Sequence, residues 1–149
     1  MPLAPINLQV VAANDASYRL VRRALSGHDD IRLTERAWDL TELDDIDKES
    51  PADVFIVSLS TQKEEMLAVL KIQKSYARPV VVFTALNDGS QYFSYLKKAG
   101  AFDVLEKSAP SRMSTDGYFR YLGAKLAALT RSANEVWKRQ NKARQKEAS

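Results

Sequence analysis

The chain has 149 residues, a formal net charge of +3, one histidine and no cysteine. Its length predicts one domain with a short appendage, and the lack of cysteine excludes disulfides, thiolate metal sites and cysteine nucleophiles. We expect a cytoplasmic protein without metal or cofactor. His28 alone makes no recognisable zinc or haem site, and neither a signal peptide nor an apolar run of membrane-spanning length is visible.

The first part of the chain predicts a strand, a helix and a second strand. Residues 6–12 form a short apolar run that is typical of a buried strand. Asn14 or Asp15 then takes the N-cap position of a helix, whose apolar residues recur at helical spacing until Gly27 ends it. Apolar residues over 31–37 predict a half-buried second strand.

The middle of the chain continues this alternation. The acidic segment 41–50 is only weakly periodic and predicts a short, poorly formed helix. The apolar run 53–59 predicts a third strand, and apolar residues between 66 and 70 mark the helix after it. The uninterrupted β-branched and aromatic run 79–84 is typical of a strand that is buried on both faces.

The remaining segments add a helix, a strand and a long helix. Asp88 introduces the helix and Gly100 ends it, and a short fifth strand follows over 102–107. Apolar residues from Phe119 to Val136 then form one stripe on a long last helix. Strands that alternate with helices in this way form a parallel α/β sheet that is covered on both faces, with right-handed crossovers.

At this length the expected architecture is a doubly wound, flavodoxin-like, five-stranded sheet of order 2-1-3-4-5 with an extended C-terminal helix. The functional crevice of such a sheet lies at the carboxyl ends of its strands. The candidate residues at those ends are Ala13, Asn14, Asp15, Ser58, Thr84 and Lys107.

Four segments at the strand ends resemble the receiver domains of bacterial response regulators. Segment 10–19 is similar to the family's first strand and its paired acids, and 51–58 to the strand that delivers the phosphoacceptor aspartate. Segments 79–85 and 100–107 are similar to the strands that end in a small hydroxyl residue and a lysine. The resemblance covers about residues 6–130 and implies a CheY-like signalling domain of a two-component system.

Within that family the chain looks closest to the receiver half of chemotaxis methylesterases. The stretch 34–39 is similar to theirs, and so is the segment from Gly100 into a long helix with Ala127, Ala128 and Arg131. In those proteins the last helix runs into a linker ahead of a catalytic domain. This resemblance leaves open a second function, namely that the chain is the regulatory domain of a larger effector.

The departures from the family pattern decide the expected chemistry. Family receivers hold Mg²⁺ with two acids after the first strand and one on the third, and the third acid is also the nucleophile. The matching positions here are Ala13, Asn14 and Ser58, and magnesium requires hard, preferably anionic oxygens. We therefore predict a pocket that has lost its carboxylates, binds no metal, is not phosphorylated on aspartate and catalyses no reaction.

Two alternatives for this pocket stay open. A shift of one residue would make Asn14 and Asp15 the acidic pair, although the spacing to Arg19 and the usual N-cap role of aspartate argue against it. Ser58 as a phosphoserine acceptor would need a general base, and the sequence shows none.

Thr84 and Lys107 are retained from the family pattern. In the family that the chain resembles, the residues at these two positions contact phosphoryl oxygens. Without carboxylates in the pocket, we expect Lys107 to hydrogen-bond Ser58 or Asn14, or to turn to solvent. The alternative is that Lys107 merely ends a strand.

The predicted output face lies on the fifth strand. The family's aromatic switch residue corresponds here to Val104, so coupling between pocket and surface must work differently. Phe102 is either an exposed anchor on this face or a core or edge contact.

The last helix carries a stripe with alternating steps of four and three, which is the spacing of a seam between helices. Its residues are Leu122, Leu126, Leu129, Ala133 and Val136, with Trp137 beside them. The first part must cover the sheet, so we divide the chain into a receiver-like domain, 1–130, and a basic helical extension or linker, 131–149. Beyond 130 the stripe either packs on a partner or frays.

The basic surplus belongs to this extension. Of the 22 lysines and arginines, six lie in 131–149, together with two of the 19 acids. The rest of the chain is therefore near neutral. We expect a solvated linker and not a nucleic-acid-binding arm, because no aromatic interleaving or recognised motif accompanies the charges.

Two functions of different class follow from the sequence. The first is a pseudo-receiver that works through protein partners, such as a histidine kinase, a downstream effector domain or a second copy of itself. The second is the regulatory part of a larger effector, either a methylesterase-like enzyme or a nucleic-acid binder. A small-molecule enzyme ranks behind both, because neither a His-assisted nucleophile nor a glycine-rich phosphate loop is visible.

Overall fold

A computed structural model describes residues 4–34, 37–46, 51–85, 90–108 and 113–148. The strands are β1 (Ile6–Ala12), β2 (Ile31–Leu33), β3 (Val54–Ser58), β4 (Val80–Thr84) and β5 (Asp103–Glu106). The helices are α1 (Asp15–Ala24), α2 (Gln62–Ser75), α3 (Ser90–Ala99) and α4 (Thr115–Ala148), and a 3₁₀ helix (Leu40–Asp45) lies between β2 and β3.

The five strands form one sheet of order β2-β1-β3-β4-β5, and all neighbouring strands are parallel. Each crossover runs through a helix or, between β2 and β3, through the 3₁₀ helix. The predicted doubly wound α/β fold with strand order 2-1-3-4-5 and a long C-terminal helix is therefore confirmed.

The sheet is covered on both faces because its central strands are apolar on both sides. Every residue of β3 and β4 is buried. The side chains that alternate along these strands divide into two hydrophobic clusters. One packs under α1 and α4 and includes Leu8, Val10, Val21, Ile56, Phe83, Leu122 and Leu126. The other packs under α2, α3 and the 3₁₀ helix and includes Leu43, Phe55, Val57, Ile72, Val82 and Leu96.

The second strand is shorter than the pattern predicts, whereas the short, poorly formed helix expected after it is present as the 3₁₀ helix. β2 ends at Leu33, and only an isolated bridge between Val11 and Trp38 continues its pairing. The acidic segment forms the 3₁₀ helix, which Asp39 caps by accepting a hydrogen bond from the Glu42 backbone N–H at 3.0 Å. Only Leu43 in it is buried, so this segment has too few apolar residues to pack a full α-helix.

Helix α4 crosses α1 at very short range. The residue at the crossing is Gly123, where a β-carbon would lie 2.1 Å from the carbonyl oxygen of Ala24. A side chain of any size would separate the two helices, so glycine sets their distance. The two helices therefore pack side by side on the same face of the sheet, in one apolar cluster.

The predicted division of the chain at residue 130 falls inside α4, which continues without a break from Thr115 to Ala148. Thr130, Ala133 and Asn134 are all buried. The side-chain contacts with the sheet domain thus extend beyond the predicted boundary, which itself stays a prediction. None of the helices in the described ranges has the length and apolar character that crossing a bilayer requires.

Candidate functional site

The predicted site residues lie at one edge of the sheet, as parallel strands require. Ala12 pairs with Ser58 across β1 and β3, and the Ala13 backbone N–H donates to the Ser58 carbonyl oxygen at 3.1 Å. On the other side, the Lys107 backbone N–H donates to the Thr84 carbonyl oxygen at 2.8 Å. The backbone therefore brings both halves of the predicted crevice to the same end of the fold.

Asn14 and Asp15 serve the start of α1. The Asn14 side-chain oxygen accepts a hydrogen bond from the Ser17 backbone N–H at 2.9 Å, which makes Asn14 the N-cap. The Asp15 carboxylate faces Arg19 at 2.7 Å, and both side chains are more than two-thirds exposed, at 68% and 78%. The Asp15 carboxylate is thus engaged by Arg19 on the helix surface, and the N-cap position belongs to Asn14 and not to Asp15.

Ser58 is completely buried at the end of β3. Within the part of the chain that the structure describes, its hydroxyl oxygen has no hydrogen-bond partner. A buried hydroxyl without a partner costs about 1–3 kcal/mol. The end of β3 therefore carries a buried hydroxyl group to which the described residues offer no hydrogen bond.

The crevice holds a carboxyl group that the sequence analysis did not predict. Glu65 of α2 is fully buried, with 0% exposure. One of its oxygens, Oε1, accepts hydrogen bonds from the Thr84 hydroxyl at 3.1 Å and from the Tyr92 hydroxyl at 2.6 Å. The other oxygen, Oε2, has no partner among the described residues. The expectation of a pocket stripped of carboxylates is wrong, because α2 supplies one.

Burial controls the protonation of this cluster. Desolvation raises the pKa of Glu65 above its usual value, while the hydrogen bonds from Tyr92 and Thr84 and the Lys107 ammonium oppose the rise. Burial and the bond to Glu65 also raise the pKa of Tyr92 well above its ordinary value. Tyr92 is therefore a neutral hydrogen-bond donor throughout the physiological range.

Lys107 makes neither of the expected hydrogen bonds, and its backbone directly follows β5, as in the alternative in which it merely ends the strand. Its ammonium lies 5.4 Å from the centroid of the Phe83 ring, and its side chain is half-buried. Ser58 offers it no hydrogen bond, since the Ser58 hydroxyl has no partner in the described ranges, and the Asn14 oxygen is used by the helix cap. Burial lowers the pKa of Lys107, and the Glu65 carboxylate opposes that effect. Lys107 is thus held over an aromatic ring in the field of Glu65.

A sequence signal for Glu65 does exist. Residues 65, 68, 69 and 72 are the buried positions of α2, and they share one face of the helix by the spacing i, i+3, i+4 and i+7. An acid in an apolar stripe of this kind indicates a buried carboxyl with specific partners. Its neighbour Glu64 has a different role: its backbone N–H is capped by Thr61 at 3.1 Å.

The predicted output face is packed against the core. Phe102 is half-buried and packs on the cluster under α1 and α4, which is the core contact that the sequence analysis left open. Val104 packs on the cluster under α2 and α3. The aromatic residue that reaches the crevice comes from α3, as Tyr92, and not from β5.

The predicted helix seam packs inside the same chain. Leu126 and Ala133 are fully buried in the cluster with α1, and Leu129 packs against that cluster. Val136 and Trp137 line a small cavity at the opposite end of the sheet from the crevice, together with Arg78 and Phe102. Ala133 therefore needs no outside partner, whereas a partner for the partly exposed Val136 and Trp137 stays a prediction.

The chemistry that these groups support is limited. No group of three or more His, Cys, Asp or Glu side chains with the arrangement of a metal site occurs in the described ranges. Among the described residues, Glu65 is the buried carboxyl at this end of the sheet. Its oxygen Oε1 already accepts hydrogen bonds from Thr84 and Tyr92. The geometry gives a buried, internally bonded cluster and not an open site.

Comparison with known proteins gives a structural match. No family pattern and no curated protein matches the chain by sequence. The solved response regulator domain of Thermotoga maritima CheB superposes with a TM-score of 0.69 at 20% identity, over 88% of this chain and 97% of that domain. The chain therefore has the CheY-like receiver fold of response regulators, and its likeness to the receiver half of CheB is confirmed at the level of the fold.

Proposed function

We propose that this chain is a pseudo-receiver, a cytoplasmic signalling module that acts through protein partners without magnesium, aspartyl phosphorylation or catalysis. The observation that carries the proposal is the set of side chains at the ends of β1 and β3. Ala13 has no polar side-chain atom, the Asn14 oxygen caps α1, and Ser58 is completely buried. These three positions provide no free anionic oxygen for a divalent cation.

The cluster around Glu65 supports the same proposal. A phosphoryl group at the end of β3 would need the Thr84 hydroxyl and the Lys107 ammonium as ligands, if the chain worked as the receivers that it resembles. The Thr84 hydroxyl is bonded to Glu65. In its ionised form Glu65 would also repel an incoming phosphate, because like charges at short range in a buried site are strongly unfavourable.

The test is a titration of backbone amide shifts with Mg²⁺ and then with beryllofluoride, a mimic of the phosphoryl group. We expect Ser58, Thr84 and Lys107 to show no saturable shift at millimolar metal. The matched control is the variant A13D/N14D/S58D, which restores three carboxylates and keeps the capping group at position 14. Saturable shifts in the control but not in the wild type support the proposal, and saturable shifts in the wild type refute it.

A second candidate is the regulatory domain of a larger effector. The observation that favours it is the structural match, since the matching chain is by its title one domain of CheB. The sequence of the coding region downstream of codon 149 tests it. A continuous frame into a further domain supports this candidate, and a stop codon there favours the single-domain module with a histidine kinase, an effector or a second copy as its partner.

A further inference from the structure

The single oxygen Oε1 of Glu65 joins three elements of the fold. Glu65 lies on α2, and its two hydrogen-bond donors are Thr84 at the end of β4 and Tyr92 in the first turns of α3. Tyr92 is the only described side chain of α3 that bonds to Glu65, so this hydroxyl connects α3 to the crevice. Removal of the carboxyl therefore loosens the attachment of α3.

The charged groups around Glu65 are few. Lys107 at the end of β5 attracts its carboxylate, and Glu64 on the same helix repels it. The described residues of β3 carry no ionisable side chain. On the 3₁₀ helix, Asp44 pairs with Lys71 of α2 at 3.6 Å, nearly two turns further along the helix from Glu65. The protonation of Glu65 is therefore governed by burial, Tyr92, Thr84 and Lys107.

We propose that Glu65 is a proton-controlled latch that holds α3 against the end of β4 when the carboxyl is protonated and loosens α3 when it ionises. The physical reason is the burial of both oxygens. An ionised Oε2 that is buried without a partner among the described residues is costly, and an outward movement of α3 admits water that solvates it. The protonated carboxyl avoids that cost while Oε1 still accepts from Thr84 and Tyr92.

The direction of the pH effect follows from linkage. Burial raises the pKa of Glu65 in the closed form above the ordinary value of 4.5, and exposure to water in the open form returns it towards that value. The closed form thus binds the proton more tightly. Raising the pH from 4.5 through the closed-form pKa therefore shifts the population towards the open form.

The latch rests on the proposed function in one respect, namely that no phosphoryl group occupies Thr84 and Lys107. It goes beyond that function because it gives the module an input of its own. A change in proton concentration would alter the position of α3, which lies next to β5 in the predicted output region.

The experiment measures hydrogen exchange of the α3 amides in the full chain between about pH 5 and pH 8. The α1 amides serve as an internal reference that cancels the intrinsic pH dependence of exchange. We expect the protection of α3 relative to α1 to fall with rising pH, by up to about tenfold for each unit that separates the two pKa values. In Glu65→Gln, which is neutral at every pH, this ratio stays constant.

Two further measurements keep the test decisive if the glutamine variant folds poorly. The ¹³C shift of the Glu65 carboxyl reads its protonation directly, and in Lys107→Met the transition moves to higher pH because the attracting ammonium is lost. A flat wild-type ratio, or an ordinary carboxyl titration, overturns the latch. The magnesium and beryllofluoride titration is independent of this result, so failure of the latch and failure of the pseudo-receiver proposal are distinguishable.

Discussion

The indole N–H of Trp137 donates a hydrogen bond to the backbone carbonyl oxygen of Ala77 at 2.7 Å. The same ring lies under the guanidinium of Arg78, at 4.1 Å from ring centroid to the guanidinium carbon. Trp137 is on the second half of α4, and Ala77 follows α2. This contact therefore fixes the distal part of α4 to the end of the sheet that lies opposite the candidate site. The sequence alone predicts that Trp137 lies beyond the receiver-like domain, 1–130.

Substitution of Trp137 tests that attachment. Trp137→Phe keeps an aromatic ring near Arg78 but loses the hydrogen bond, and we expect a loss of about 1 kcal/mol in the free energy of unfolding. Trp137→Ala also loses the apolar contact and the cation–π interaction, and we expect a loss of about 2–3 kcal/mol. Urea denaturation followed by circular dichroism measures both.

The control for this prediction is Lys138→Ala, an exposed neighbour on the same helix. We expect this variant to unfold within about 0.5 kcal/mol of the wild type. Equal losses in Lys138→Ala and Trp137→Ala would mean that docking of the indole does not determine the stability of this segment.

Ala77 itself adopts a backbone conformation that favours glycine, with φ of 50°. It follows α2, and its N–H donates to the Ile72 carbonyl oxygen at 3.0 Å, as in the left-handed turns that end many helices. A β-carbon in this region costs roughly 1 kcal/mol. We expect Ala77→Gly to raise the midpoint of thermal unfolding, or to leave it unchanged where chain entropy offsets the relief of strain. A clear decrease would contradict this account.

The fold could be predicted from the sequence because its central strands carry their own signal. The apolar runs of β3 and β4 are buried on both faces, and that burial is what a continuous apolar run indicates. The strand order then follows from the alternation of elements and the handedness of crossovers. Each of these patterns is local, and together they are compatible with one compact arrangement of the strands and helices.

The candidate site was only half predictable. Ser58 and Thr84 follow from the strand ends, but Glu65 does not, since an acid in the first turn of a helix usually serves the helix dipole in solvent. Its burial depends on Tyr92, which is 27 residues away and belongs to another helix. The same limit applies to Trp137, whose partner Ala77 is 60 residues distant in sequence. The periodic stripe of α2 indicates that Glu65 is buried, but partners this distant in sequence follow from packing and cannot be read from it.

The close crossing of α1 and α4 leaves no room for a methyl group at Gly123. A β-carbon there would lie 2.1 Å from the backbone oxygen of Ala24, which cannot rotate away. We expect Gly123→Ala to destabilise the fold by about 1–3 kcal/mol, despite the better helix propensity of alanine. Thermal unfolding measures the loss.

The matched control is Gly117→Ala in the first turn of the same helix. There the nearest atom to a new β-carbon is the side-chain oxygen of Ser114 at 3.1 Å, which accepts a hydrogen bond from the Gly117 backbone N–H and needs to shift by only a few tenths of an ångström. We expect a change below about 1 kcal/mol. If the two alanine variants unfold alike, the separation of α1 and α4 is not set by Gly123.

The ion pair between Asp30 and Arg131 gives the fold an acid-sensitive contact. The guanidinium donates to both Asp30 oxygens, at 2.6 and 2.9 Å, and also contacts the His28 ring nitrogen Nδ1 at 3.2 Å. The hydrogen bonds from Arg131 lower the pKa of Asp30 below its ordinary value of 3.8. The folded state therefore binds the Asp30 proton less tightly than the unfolded state does.

A group with a depressed pKa stabilises the fold above its unfolded-state pKa, and that contribution is lost as the pH falls through the folded-state pKa. We expect the urea midpoint of wild type to exceed that of Asp30→Asn at neutral pH, by a small margin because both partners are about half exposed. The two midpoints should converge as the pH falls below 3.8. A difference that persists at acid pH would show that Asp30 acts through the shape of the turn before β2 and not through its charge.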